Sequence, residues 1–163
     1  MSEQVKEDIK KIVGKINEKR YMHKPFREYF SDCEVVIDPN TDVVFGEILW
    51  KDSGVQVGGI DKNAWYREIP VKLRVIASPK YLELPQEIRD SFWVHEINEA
   101  LLIQNSRFFK LVNRLRKYFF VQKLATYLVH SYVDRENESM GYSSTSEILG
   151  VLKEHGMERK PKF

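Results

Sequence analysis

At Pro79 the spacing of apolar residues changes from two to between three and four, and the chain divides there into two kinds of structure. Before it, from Cys33 to Ser78, the short β-branched segments CEVVID, VVFGEILW, GVQVGGI and IPVKLRVIAS are separated by PNTD, KDSG and DKNAWYRE. In the last segment Val71, Leu73, Val75 and Ala77 alternate with Lys72, Arg74, Ile76 and Ser78, the pattern of a strand with one face on a core. After Pro79 the spacing is helical nearly to the end. Keeping the two periods in separate blocks predicts segregated layers: an α+β domain with a small, mostly antiparallel sheet of three to four strands followed by three helices.

A further helix precedes the strands. In residues 2–20, Val5, Ile9, Ile12, Val13 and Ile16 form one apolar stripe on an otherwise charged segment, which needs a partner surface. The stretch YMHKPFREYF reads as a loop with one helical turn interrupted by Pro25. With 163 residues the chain fits a single domain, taken here as 1–156, and the basic residues 157–163 read as a flexible tail.

Of the three late helices, the first starts near Pro85, where proline suits a first turn. The second reads as one long helix over 106–135. The third is opened by a capping box of Ser144 and Glu147 and closed by Gly156.

The first of these helices carries the chemistry. Its stretch FWVHEINEALL places His95 and Glu99 four apart, so that imidazole and carboxylate share one face. Glu96 lies about 100° round the helix, beside a metal held by the other two and placed to act as a general base. Zinc accepts carboxylate oxygen as well as imidazole nitrogen. The extra negative charge weakens its Lewis acidity and brings manganese into consideration.

A metal site needs more donors, and VHSYVDRE supplies His130 and Asp134, again four apart. Helix arithmetic sets a condition on them. Gln104 back to His95 is about 14 Å, whereas Ser106 out to His130 is about 36 Å at 1.5 Å per residue. A continuous second helix overshoots, so His130 meets His95 only if that helix breaks, for instance around NRLRKY, or crosses. The competing reading makes His95, Glu96 and Glu99 the solvated edge of a core helix, balanced by bases of the next helix.

The run IPVKLRVIASPKYLELPQEIRDSFWVHEINEALL resembles the strand, acidic connection and His-Glu helix of minimal zincin metallopeptidases and their small phage-encoded relatives. The likeness covers residues 43–104, including the glycine-containing hairpin VVFGEILWKDSGVQV, and only His95 and Glu96 match the motif directly. It implies a zincin-like fold in which the strand before the helix binds extended substrate by strand addition. It also implies His95 as a zinc ligand and Glu96 as general base, in a metal-dependent peptidase or a relative that has lost catalysis and binds no metal. Glu99 stands where the family has its second His.

Charge offers a reading of a different class. Between Glu83 and Glu99 five acids face Arg89 alone, while Arg107, Lys110, Arg114, Arg116, Lys117 and Lys123 follow without an acid. Arg107, Lys110, Arg114 and Lys117 make a basic stripe. That suits a viral or mobile-element interaction protein binding a host protein or, less readily, a nucleic acid through 107–123. The alternative is pairing with the acidic helix before it.

The formal charge of +2 implies no membrane partner. One cysteine, Cys33, excludes an internal disulfide and leaves metal binding to His, Asp and Glu. With no secretory or membrane-spanning segment, the expectation is a cytoplasmic protein, or one in the host cytoplasm if viral.

Overall fold

The computed structural model describes residues 1–20, 22, 24–40, 44–50, 54–58, 72–115 and 118–157, and only the backbone at 25, 26, 44–50, 54–58, 72, 103–105, 110, 113, 114 and 119. In order, the chain forms α1 (Ser2–Lys19), α2 (Lys24–Ser31), β1 (Glu34–Ile37), β2 (Val44–Trp50), β3 (Gly54–Gly58) and β4 (Lys72–Ala77). A 3-10 turn over Pro79–Glu83 leads into α3 (Gln86–Asn105), α4 (Arg107–Leu115), α5 (Phe119–Ser139) and α6 (Thr145–Glu154). The fold mixes helix and strand and is mostly helical.

All four strands join one sheet in the order β1-β4-β2-β3. β2 pairs antiparallel with both β3 and β4, while β1 pairs parallel with β4 in the register Glu34↔Arg74 to Ile37↔Ala77. β4 is therefore hydrogen-bonded along both sides. That corrects the expectation that it accepts a substrate strand, because its backbone donors and acceptors are already used. Leu73, Val75 and Ala77 of β4 point into the core as their alternation requires. Ser78, expected on the outer face, is also buried, and its hydroxyl accepts from Lys80 N–H to cap the 3-10 turn.

The stripe of α1 is buried in full and packs both against this sheet and against Trp93, Val94 and Ile97 of α3. Each such aliphatic side chain contributes roughly 1.5–3 kcal/mol by leaving water. Pro25 begins a helix instead of interrupting one: it is the second residue of α2, where a missing N–H costs nothing. At the other end, Met157 is buried in the main core, and its N–H reaches Leu152 O at 2.8 Å. His23, Gly59, Val71, Lys117 and the tail 158–163 lie outside the described residues.

The expected long helix over 106–135 is two helices. α4 ends at Leu115 and α5 begins at Phe119 after Tyr118, whose backbone is extended at φ −95 and ψ 119. The interruption falls within NRLRKY. Leu102, Val112, Ala125, Val129 and Val133 form a second apolar cluster that joins α3, α4 and α5. No proline or glycine lies at the break; packing against α3 selects it over the uninterrupted helix that propensity favours. Among the described residues, no helix is long and apolar enough to cross a membrane.

Candidate metal centre

α3 is buried on every side from Trp93 to Leu102. One face is apolar and belongs to the core shared with α1 and the sheet. The other carries Ser91, His95, Asn98 and Glu99 at helical spacing and meets α5 and the start of α6. His95 and Glu96 are each 7% exposed and Glu99 is 2% exposed, which overturns the solvated-edge reading.

On the facing helix, His130, Asp134 and Asn137 are spaced four and three apart and so share a face. Asn98 Nδ2 donates to Asn137 Oδ1 at 3.0 Å, and Ser143 N–H donates to Ser91 Oγ at 3.1 Å. The helix break thus does what the arithmetic demanded and brings the second half of α5 back along α3.

Three donors converge in this seam. Glu99 Oε2 lies 3.5 Å from His95 Nε2 and 4.0 Å from His130 Nε2. One ligand atom from each residue falls within 4.8 Å of the other two. Donors each about 2.1 Å from a tetrahedral zinc stand about 3.4 Å apart, so closing this triangle takes small side-chain movements. The two imidazole rings meet edge to face with centroids 5.2 Å apart. A carboxylate taken this far out of water is stabilised by positive charge beside it, and a cation shared by all three groups would supply it.

Asp134, expected among the ligands, is turned to another use. Its Oδ1 accepts both the backbone N–H of Thr145 at 2.9 Å and the Thr145 hydroxyl at 2.5 Å. Thr145 Oγ1 in turn lies 3.2 Å from His95 Nδ1. Thr145 is the residue that sequence reasoning missed. The Ser144 and Glu147 capping box, which the structure forms with both reciprocal bonds, already placed Thr145 at the first position of α6. What the sequence could not show is that this helix starts beside His95.

Glu96 is buried next to His95 on α3. Arg107 is exposed at the start of α4; Lys110 and Arg114 lie further along that helix, with only their backbones described. Two acids of α3 have partners outside α4: Asp90 meets Lys11 Nζ at 2.5 Å, and Glu99 meets the two imidazoles. Compared with known families, curated proteins and solved structures, the chain matches none.

Proposed function

We propose that the protein is a metal-dependent hydrolase of zincin-like type, with His95, Glu99 and His130 holding a divalent cation. The convergence of one carboxylate and two imidazoles from α3 and α5 carries this reading. Two His and one Glu is a donor set used by catalytic zinc, which leaves a fourth position open for water or substrate. In the zincin pattern the two histidines share a helix and the third ligand comes from elsewhere; here the carboxylate occupies the helical position and His130 comes from elsewhere. Glu99 then replaces one donor while the set is kept. Manganese suits the same site less well, because imidazole nitrogen favours zinc.

Zinc held there would supply Lewis acidity to activate water. Glu96, adjacent to His95, would accept that water's proton. Peptides are the substrate class that the His-Glu helix suggests, but they would have to enter between helices, since both sides of β4 are occupied. The test is elemental analysis of protein carrying no His tag, after incubation with zinc and desalting. One zinc per chain is expected in the wild type and none in H95A, E99A or H130A. E96Q should retain zinc and lose hydrolysis of a fluorogenic peptide library. A metal-free wild type would sink the proposal.

A second reading has one observation in its favour. Phe108 and Leu111 of α4 and Leu124 and Tyr127 of α5 are exposed beside Arg107 and Lys123, in a stretch with six bases and no acid from 107 to 123. A non-enzymatic protein docking an acidic partner there would bind polyanions with an affinity that falls steeply with salt.

A further inference from the structure

We propose that Thr145 and Asp134 are positioning residues that hold His95 in the tautomer a metal needs; the consequence for metal affinity rests on the reading above. A threonine hydroxyl has one proton, and here it goes to Asp134 Oδ1 at 2.5 Å, a charge-assisted bond. Thr145 Oγ1 can then act toward His95 only as an acceptor. The 3.2 Å contact is therefore a bond donated by Nδ1–H, which leaves the proton off Nε2. Nε2 is the nitrogen that faces Glu99.

The opposite tautomer would aim an Nε2–H at Glu99 Oε2 across 3.5 Å, longer than an ordinary N–H···O bond, and would set Nδ1 and the Thr145 oxygen lone pair to lone pair. The hydroxyl could relieve that only by giving up Asp134. The Asp134 carboxylate, by taking the hydroxyl proton, thus decides two bonds away which imidazole nitrogen keeps a free lone pair. Such outer partners fix ring orientation and raise the basicity of a ligating histidine.

Asp134 has a second role that secures the first. It also accepts the Thr145 backbone N–H, one of the free donors at the start of α6, where negative charge is favoured. α3, α5 and α6 meet at the Thr145 hydroxyl, which touches both His95 and Asp134, and the C-terminal helix becomes a support of the site.

The test separates the relay from the metal. In metal-free protein labelled with 15N-histidine, at a pH where the ring is neutral, two-bond proton–nitrogen correlations report the His95 tautomer directly. The wild type and T145S should show Nδ1–H. D134A frees the hydroxyl proton to donate to Nδ1 and should move the population toward Nε2–H, an effect that mere loosening would not produce. Chelator competition should give a zinc affinity about 10–100-fold weaker in T145V and D134A, restored toward wild type in T145S.

T145A takes the place of T145V if the larger side chain prevents folding, judged by near-UV circular dichroism. An Nε2–H tautomer in the wild type, or wild-type zinc affinity in both T145V and D134A, overturns the relay. If the wild type binds no zinc, the metal reading falls while the tautomers still decide the relay.

Discussion

Asp8 interrupts the apolar face of α1, and its surroundings show how one residue can join distant parts of a chain. It is 2% exposed. Its carboxylate accepts from Gln4 and Gln86 at 3.2 and 3.1 Å and from the Tyr81 hydroxyl at 3.1 Å. Arg89 Nε approaches Oδ2 at 3.2 Å, without the alignment of a hydrogen bond, while Arg89 Nη1 donates to Leu82 O. Removing the carboxylate in D8A strands the Arg89 charge and the Tyr81 hydroxyl, and should cost about 3–5 kcal/mol, the range for breaking a buried pair from one side. Y81F leaves the Trp93 indole N–H without the oxygen it reaches at 2.7 Å, and should cost about 1–3 kcal/mol. Urea unfolding of both variants measures this; D8A no less stable than wild type would remove the network from the account. Asp8 was invisible in the sequence for a plain reason: a charge beside an apolar stripe normally points to water. Apart from Gln4 one turn away, its partners Tyr81, Gln86 and Arg89 lie more than seventy residues on, in the 3-10 turn and the start of α3, which only the packed fold brings close.

The break between α4 and α5 decides whether a site exists, and it can be tested without touching the site. Tyr118 is the residue before α5 and makes no side-chain cap. If the chain is broken there, Tyr118→Asp supplies an N-cap acceptor and a negative charge at a helix start, and should stabilise the protein by about 0.5–1 kcal/mol. In one continuous helix the same substitution would put a poor helix former at an interior position and destabilise by roughly half a kcal/mol. The sign of the change in thermal midpoint distinguishes the two. Elements whose evidence is local were readable from the residues: the alternation at Leu73, Val75 and Ala77, the stripe from Val5 to Ile16, the Ser144 capping box and the positive φ of 67 at Gly156. The break was not, because RLRKYFF contains no helix breaker. The candidate site was half readable on the same grounds. His95 and Glu99 share a face by spacing alone, whereas the arrival of His130 and the diversion of Asp134 to Thr145 depend on how three helices pack.

At the scale of the molecule, the period-two block and the helical block are closed by the same element from the far end of the chain. α1 packs on both the sheet and α3 within one core, and an ionisable group is buried near each contact. Cys33 follows α2 and enters β1 in the core shared with α1, and burial pushes its thiol up from 9.0 to about 11. Tyr81 sits between α1 and α3, and burial followed by the nearby Asp8 carboxylate raises its phenol well above the usual range. Both groups stay protonated in the folded protein at a pH where the unfolded chain has begun to release their protons. The unfolded state therefore binds fewer protons, and stability falls as pH rises. For Cys33 the loss begins near pH 9 and is complete near pH 11, worth about 2–3 kcal/mol at 1.36 kcal/mol per pH unit. Tyr81 adds to it above about pH 10. Lys15, raised by its bond to the Tyr142 hydroxyl, acts in the same direction but is too well solvated to add much. Urea midpoints taken from pH 8 to 11 should be level up to about 9 and then fall, with Cys33→Ala removing the fall between 9 and 10 and the thiol's share of it up to 11, while leaving the Tyr81 part above 10. Because both groups lie where α1 is held, the loss should appear together in far-UV and near-UV signals. An equal slope between pH 9 and 10 in wild type and C33A would show that the thiol is not buried at this junction, and that α1 does not close the two blocks as one core.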